Sequence, residues 1–169
     1  MIEPEPFRTA MSRLGAAVNL VTTDGPAGRY GIVASALCSV TDAPPTILLC
    51  VNRLSCANAA LKANGVLCAN ILAGRHQALS QHFATAPVAE RFAAASWTML
   101  ETGAPLLTDA ASALDCRVAS VTEVGSHTVF FAEIVALRID DDVDGLVWFD
   151  RRYHRLGAAA PSHAPEGSH

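Results

Sequence analysis

The stretch from Tyr30 to Asn52, YGIVASALCSVTDAPPTILLCVN, constrains the fold more than any other part of the chain. It contains two apolar, strand-like runs, and Pro44 and Pro45 precede the second of them. Each proline fixes its own φ and disfavours the α conformation in the residue before it, so no helix continues through this point. The run from Thr46 to Val51 is short, continuous and apolar, which predicts a buried strand.

Between the two runs lie small residues, Ala34, Ser35 and Ala36. A strand with so little side-chain bulk leaves its backbone open to a flat ligand, which would meet hydroxyl and N–H groups there. Small residues in a strand also serve to pack against a neighbouring helix or sheet. The motif by itself leaves both interpretations open.

The composition predicts a compact domain with a partner subunit. The 169 residues suffice for one domain with a substantial core. Hydrophobic residues make up 51 % of the chain and charged residues only 17 %. Few residues are therefore left to solvate the outside, and we expect a second copy to cover part of the surface as a homodimer.

Charge and hydropathy argue against two classes of partner. The formal net charge of −4 disfavours a nucleic-acid surface. No apolar run approaches the roughly 20 residues that cross a bilayer, and the N-terminus MIEPEPFRTA is acidic where a signal peptide would be basic. These features predict a cytoplasmic protein without a membrane segment.

The five cysteines include no C-x-x-C pair, so we expect buried apolar fillers and no metal site. They are Cys38, Cys50, Cys56, Cys68 and Cys116. His76 and His82 lie six residues apart, which does not place two metal ligands on one helical face, and we expect surface or capping residues.

Periodicity and turn residues divide the rest of the chain into short elements. Predicted helices cover 6–14, 55–64 and 76–83, and predicted strands cover 17–23, 66–72, 113–124, 127–140 and 146–149. Gly125 and Ser126 fit a two-residue hairpin turn between the two long strands. The pattern predicts a mainly β protein, an antiparallel barrel with helical insertions. Residues 1–156 form its one domain, and the tail 157–169 is expected to be disordered.

Two positions have a phosphate-binding and a structural interpretation. The start of the helix at Ser55, together with Arg53, offers free N–H groups and positive charge to a phosphate, but Ser55 also suits a simple helix cap. Arg91 suits a phosphate or a ribityl chain, or else its side chain covers apolar core surface.

The chain lacks the familiar hydrolytic and phosphoryl-transfer motifs, including G-x-S-x-G, H-E-x-x-H and the P-loop. An enzyme without such groups is most plausible if a cofactor supplies the chemistry.

A resemblance agrees with this inference. The segments FRTAMSRLGAAVNLVTTDGPAGRYGIVASALCSVTDAPPTILLCVN, CANIL, HFA, ERF, GSHTVFFAEI and LVWFDRRYH together resemble the short flavin reductase family, from about Phe7 to His154. The likeness is to the reductase components of two-component aromatic monooxygenases, most closely the one serving 4-hydroxyphenylacetate 3-monooxygenase. It implies a homodimer with a split β-barrel, Greek-key-like, of the FMN-binding type. It also implies reduction of FMN or FAD by NADH or NADPH, with diffusion of the reduced flavin to a partner monooxygenase that hydroxylates an aromatic or phenolic compound.

The same resemblance implies a set of site residues. Those for the flavin are Val33, Ala34, Ser35, Ala36, Leu37, Ser39, Val40, Asn52, Leu54, Ser55, Cys56, Phe83 and Arg91. Those for the nicotinamide nucleotide are His127, Arg152, Tyr153 and His154, with His127 as the catalytic candidate. Relatives often carry Thr or Ser at the position of Val33, so valine removes one possible hydrogen bond to the flavin, and the flavin affinity and the FMN or FAD preference stay open.

The chemistry of the residues agrees with these implied roles. Hydride transfer between two stacked rings depends on proximity and orientation, and Ala34 to Ala36 leave room for that stack. His127 suits a hydrogen bond to the nicotinamide carboxamide, or it is a satisfied histidine at a hairpin end. The basic run from Arg151 to Arg155 suits dinucleotide phosphates or a solvated surface. Two other classes stay open, a non-catalytic flavin- or haem-binding barrel and an oxidase resembling the pyridoxamine phosphate enzymes.

Overall fold

The computed structural model describes residues 2–141 and 144–157. The α-helices are α1 (Pro4–Ser12), α2 (Cys56–Asn64) and α3 (Gln77–Thr85), and 3-10 helices cover Gly74–His76 and Val88–Ala94. The strands are β1 (Ala16–Ala17), β2 (Asn19–Thr23), β3 (Tyr30–Ala34), β4 (Leu37–Asp42), β5 (Pro45–Asn52), β6 (Val66–Ile71), β7 (Trp97–Thr98), β8 (Leu106–Leu107), β9 (Ser112–Val124), β10 (His127–Ile139), β11 (Gly145–Phe149) and β12 (Arg152–Leu156). The predicted disordered tail lies, apart from Gly157, outside the described residues.

Seven strands form one antiparallel sheet in the order β3-β2-β6-β9-β10-β5-β4. Its two edge strands, β3 and β4, are consecutive in the chain and are joined only by Ser35 and Ala36. Because so short a connection spans at most about 11 Å, the sheet has to curl until its edges approach each other. Within the described chain no ladder pairs β3 with β4. The mainly β, antiparallel prediction is confirmed, and the open seam of the curled sheet lies at Ser35 and Ala36.

The main core lies inside the curl. Val21, Leu49, Leu67 and Phe130 come from four different strands, pack in one cluster and are at most 1 % exposed. A second cluster, which includes Leu20 and Phe83, lies outside the sheet where α3 and the following segment cover it. The curled sheet is thus packed on both surfaces near β2 and β3, which leaves little freedom for the strand that leads to the seam.

Local sequence signals explain the elements that flank the site. The Ser55 side chain accepts a hydrogen bond from the Ala57 N–H at the start of α2, and Gly65 ends the helix with φ of 67°. Gly125, with φ of 54°, and Ser126 form the turn between β9 and β10. The predicted helix, its stop and the two-residue hairpin are confirmed.

The basic ending forms a strand that the sequence pattern did not predict, because the last predicted strand was 146–149. Arg152–Leu156 is a strand that pairs with β11, and β1 completes a small three-stranded sheet. The turn before it places both Asp150 (φ 48°) and Arg151 (φ 59°) in the left-handed region. A two-residue hairpin of type I′ requires this geometry at both turn residues, and these are normally glycine or asparagine, so the sequence lacks the usual signal.

His76 was expected at the surface or as a cap, and the structure confirms only the second. The residue is 5 % exposed, and its Nδ1 accepts a hydrogen bond of 3.0 Å from the Ala73 N–H. Its Nε2 lies 3.0 Å from Asp109 Oδ2. Both ring nitrogens therefore face protein groups. No described helix is long and apolar enough to cross a membrane.

Replacing Gly31 with alanine is expected to destabilise the fold by about 1–3 kcal/mol, because the added methyl group would overpack the core beside β3. A Cβ at this position would lie 2.7 Å from Phe83 Cε1 and 3.1 Å from Phe92 Cζ. Chemical unfolding of Gly31→Ala measures the loss. Gly145→Ala is the control, since its Cβ would meet only ordinary contacts from 3.7 Å. Equal stability of the two variants would contradict the packing described here.

Candidate functional site

A cleft of about 300 Å³ opens where the edges of the curled sheet meet. Its lining comes from the end of β3 and the connection after it, from the end of β5, and from the starts of α2 and β10: Ile32, Val33, Ala34, Ser35, Ala36, Cys50, Val51, Asn52, Ser55 and His127. Residues far apart in the chain meet here because β5 pairs with both β4 and β10. Six of the residues predicted to contact flavin, together with His127, are thus brought together.

The backbone from Ala34 to Ala36, called the shelf below, has an unusual hydrogen-bond pattern. The Ala36 carbonyl accepts from the Cys50 N–H at 3.0 Å, and the Ala34 carbonyl accepts from the Asn19 side chain at 3.2 Å. The N–H groups of Ser35 and Ala36 donate to no other described residue. Because unpaired N–H groups need a partner wherever water is displaced, the shelf offers two donors to a ligand.

Asn19 is a site-supporting residue that sequence reasoning missed. It is 1 % exposed, and its amide Nδ2 donates to the carbonyls of Ala17 and Ala34. A buried amide that holds the Ala34 carbonyl fixes the peptide at the start of the shelf. The one available signal was a polar residue inside the otherwise apolar strand AVNLVTT.

The end of β5 and the start of α2 form one side of the cleft. Asn52 Oδ1 accepts from the Leu54 N–H at 2.9 Å, which closes a tight turn into the helix. Ser55 both caps α2 and lines the cleft, so the structural interpretation of this residue holds without removing the functional one. Leu54 is 95 % exposed and Cys56 is also exposed at the outside of the same turn.

The other side is formed by the β9–β10 turn. His127 is the first residue of β10 and lies directly opposite Asn52 in the strand register. Its Nδ1 is 2.9 Å from Ser126 Oγ. Arg53 fastens this turn to the β5 side, because its N–H donates to the Ser126 carbonyl at 2.9 Å and its guanidinium contacts Glu123 at 3.2 Å.

Glu123 forms ion pairs with Arg53 and Lys62 beside the cleft. Its carboxylate accepts from Lys62 Nζ at 2.5 Å and from Thr128 Oγ1 at 3.0 Å. The hydrogen bond from Lys62, assisted by Thr128 and by the charges of Lys62 and Arg53, lowers the pKa of Glu123 below its ordinary value. Glu123 therefore stays ionised at neutral pH and holds both cations at the rim of the cleft.

A smaller pocket of about 170 Å³ adjoins the shelf on its other side. Val18, Val33, Ser35, Trp148 and Tyr153 line it. The Tyr153 hydroxyl lies 2.9 Å from Ser80 Oγ, and its ring packs edge-on against Trp148. Strand β12 alternates, so Arg152 and His154 are exposed on the opposite side, where Arg152 contacts Asp150 and His154 contacts the Phe149 carbonyl. Of these three predicted residues, Tyr153 alone borders the shelf.

Other predicted flavin residues lie outside the cleft, and these are Leu37, Ser39, Val40, Leu54, Cys56, Phe83 and Arg91. Phe83 is 1 % exposed and packs against Phe92 and Trp97. Arg91 donates to the carbonyls of Ala86 and Gly31, so it fastens the following segment to β3. Both side chains are thus engaged by the protein, in keeping with the core-covering interpretation of Arg91.

The cysteine prediction is correct for two residues and wrong for two. Cys68 and Cys116 are buried, and burial raises the pKa of both thiols, that of Cys116 to about 12. Cys38 and Cys56 are exposed, because they lie on an edge strand and at a helix start. Among the described residues no group of three or more His, Cys, Asp or Glu is arranged to hold a metal ion.

An apolar groove of about 470 Å³ adjoins the cleft. Residues 14–17, 35–38, Leu48 and Cys50 line it. Helix α1 beside it has no buried residue, and Phe7, Met11 and Leu14 are 58 %, 47 % and 63 % exposed. Ser35, Ala36 and Cys50 belong to both the groove and the cleft, so anything that covers the groove also borders the shelf.

Comparison with known proteins identifies relatives of this chain. Residues 11–157 match the family model described as flavin reductase like domain. The chain is 53 % identical to the FMN reductase (NADH) RutF of Pantoea ananatis over 156 residues, which cover 92 % of this chain and 82 % of that protein. It is 54 % identical to the protein of the same name from Variovorax paradoxus over 158 residues, 93 % of this chain and 87 % of that protein.

Solved structures of flavin reductases also superpose on this chain. The crystal structure of ycdH from Haemophilus somnus 129PT, described as a flavin reductase, superposes with a TM-score of 0.89 at 40 % identity and covers 92 % of this chain and all of that one. The NADH:FAD oxidoreductase SgcE6 of Streptomyces globisporus, in complex with NAD and FAD fragments, superposes with a TM-score of 0.85 at 25 % identity. That alignment covers 97 % of this chain and 99 % of the other.

Proposed function

This chain belongs to the family of flavin reductase like domains and is an NADH-dependent flavin reductase. We propose that it binds flavin on the shelf and passes the reduced flavin to a partner monooxygenase. Bound flavin would supply the redox chemistry, accepting a hydride from the nicotinamide nucleotide. The chain's own residues would bind and orient the flavin and the nucleotide.

The observation that carries this proposal is the pair of unpaired N–H groups at Ser35 and Ala36 beside an open cleft. The pyrimidine edge of a flavin ring is rich in acceptor atoms, and backbone donors fixed in place stabilise negative charge that develops there. Ala34 and Ala36 carry only methyl groups, so a flat ring can approach the backbone closely. The residues present therefore fit a flavin.

The phosphate end would lie toward Asn52 and Ser55. Both residues line the cleft at the start of α2, where the helix dipole favours an anion. Leu54 and Cys56 would flank this end from outside the turn. Ser39 and Val40, which lie on β4 outside the cleft, would contact flavin only through a rearrangement of that strand.

The nicotinamide nucleotide would enter past His127. This side chain lines the cleft, and Ser126 Oγ engages its Nδ1, which leaves Nε2 to face a ligand. Tyr153 would close the far end of the shelf through the adjoining pocket. Arg152 and His154 are exposed, and we assign them to the phosphates of the nucleotide rather than to its ring.

The openness of the site favours a flavin that exchanges with solvent. Ser35 and Ala36 are exposed, and no described segment covers them. The resemblance implies that reduced flavin is supplied to a partner oxygenase, and an uncovered shelf allows release on the timescale of turnover. That the partner acts on an aromatic or phenolic compound stays a prediction from the resemblance.

The decisive measurement is the loss of NADH absorbance when purified protein is mixed with NADH and excess FMN or FAD. We expect turnover that depends on added flavin and a preference shown by the ratio of kcat/KM for the two flavins. Replacing NADH by NADPH determines the nucleotide preference. Tight flavin retention without turnover would instead favour the non-catalytic flavin-binding alternative.

We also propose a homodimer in which the apolar groove and α1 meet a second copy. Leu14→Asp is expected to convert a dimer into a monomer by light scattering, because it places a charge where an apolar face is covered. Flavin affinity should fall with it, since groove and cleft share residues. Met99→Asp is the control, being 62 % exposed on a loop away from the groove. A monomeric wild-type protein, or an unchanged mass of Leu14→Asp, would contradict this assembly.

A further inference from the structure

The inference concerns a buried polar network directly behind the two sides of the cleft. Asn58 on α2 is 2 % exposed, and Thr128, next to His127 on β10, is fully buried. Burying amide and hydroxyl groups costs free energy unless every one is hydrogen-bonded, and apolar residues of the same size would avoid that cost. The hydrogen-bond partners of Asn58 and Thr128 therefore indicate what this buried network stabilises.

Asn58 connects α2 to the ends of two strands. Its Nδ2 donates to Thr128 Oγ1 at 2.9 Å and to the Val51 carbonyl at 3.2 Å, and it reaches the Asn52 carbonyl at 3.4 Å. Asn52 and His127 are paired in the register, with Val51 and Thr128 as the next pair inward. The Asn58 amide therefore binds both members of the pair Val51 and Thr128, which lies next to the terminal pair Asn52 and His127.

Thr128 continues the network to the β9–β10 turn. It accepts from Asn58 and donates to Glu123 at 3.0 Å, and Glu123 in turn holds Arg53 at 3.2 Å. The Arg53 N–H donates to Ser126, whose hydroxyl lies 2.9 Å from His127 Nδ1. The chain of contacts therefore runs from Asn58 to Ser126 and, through the Ser126 hydroxyl, to the imidazole ring of His127.

We propose that Asn58 and Thr128 are positioning residues that hold His127 opposite Asn52, so that the imidazole meets the nicotinamide nucleotide over the shelf. This inference rests on the proposed role of His127. Neither residue lines the cleft, so neither touches a ligand directly. A rigid support matters because a displacement of about 1 Å in a positioned group costs up to about a hundredfold in rate.

The test uses Thr128→Val, which removes the hydroxyl and keeps the shape. We expect about a tenfold slower flavin reduction by NADH in stopped-flow measurements and weaker NAD⁺ binding, with the flavin Kd changed less than about twofold. The imidazole ¹⁵N shifts of His127 in the flavin-free protein should change as well. Thr128→Ser keeps a hydroxyl and should restore the rate. Asn58→Leu should reproduce the Thr128→Val effect through the other partner.

Thr22→Val is the matched control, because Thr22 is also fully buried and donates to the Cys68 and Pro105 carbonyls away from the cleft. It should lower stability and leave reduction kinetics unchanged. If Thr128→Val changes stability alone, as Thr22→Val does, the positioning role is excluded.

A double-mutant cycle shows whether the effect passes through His127. In a His127→Ala background, Thr128→Val should slow reduction by less than about twofold, and equal slowing in both backgrounds would overturn the inference. The failure of the proposed function itself looks different, because wild-type protein would then oxidise no NADH with added flavin. In that case the His127 ¹⁵N shifts in Thr128→Val still decide whether the network orients the ring.

Discussion

Replacing Ser35 with tryptophan is expected to weaken flavin binding by at least about a hundredfold, a difference of about 2.7 kcal/mol. Ser35 lies at the centre of the shelf and borders the cleft, the adjoining pocket and the apolar groove. An indole at this position occupies the space in which a flat ring would lie. Because Ser35 is exposed within the protomer, the larger side chain enters no packed core, and the fold of the protomer should tolerate it. Titration of FMN fluorescence against the variant measures the loss.

The control for this experiment is Ala93→Trp, which adds the same ring at an exposed position of the 3-10 helix Val88–Ala94. It should bind FMN like the unchanged protein, and the thermal unfolding of both variants should stay close to that of the wild type. NADH oxidation with excess FMN should fall in Ser35→Trp by a similar factor at sub-saturating flavin. Unaltered turnover in Ser35→Trp would place the flavin elsewhere.

Local signals were sufficient to predict helix α2 and the β9–β10 hairpin on the two sides of the cleft. Ser55 and Gly65 mark the ends of α2 because cap geometry depends on a few neighbouring residues. The hairpin at Gly125 follows from the same kind of signal, a left-handed turn residue between two apolar strands. The small residues of the shelf could be predicted as a binding surface, but whether they faced a ligand or another element depended on the sheet.

The arrangement of the sheet depends on long-range pairing, which local patterns do not encode. Strands β3 and β4 are adjacent in sequence, yet they lie at opposite edges of the seven-stranded sheet. This order exposes the connection between them and buries Phe83, whose place in the chain gave no sign of its contacts with Phe92 and Trp97. The burial of a residue depends on which other residues pack against it, so the structural role of Phe83 follows only from the assembled fold.

The polar residues behind the site were missed for a related reason. Asn19 and Asn58 look like ordinary polar positions in a strand and a helix. Their function becomes visible only when the carbonyls that they bind are seen to belong to the shelf and to the ends of β5. The sequence can indicate a buried polar residue as an interruption of an apolar run, but it cannot name the partner.

Replacing His127 with alanine is expected to slow flavin reduction by NADH about a hundredfold while changing flavin affinity by less than about threefold. His127 lines the cleft at the start of β10, where Ser126 engages its Nδ1 and leaves Nε2 for the nucleotide, whereas the donors proposed for the flavin ring are the N–H groups of Ser35 and Ala36. The two binding events therefore depend on different groups. Stopped-flow reduction and FMN titration measure them separately, and His82→Ala, on α3, serves as the control. Parallel losses of rate and flavin affinity would show that His127 supports the flavin rather than the nucleotide, because removing a group that contacts only the nucleotide leaves the flavin equilibrium almost unchanged.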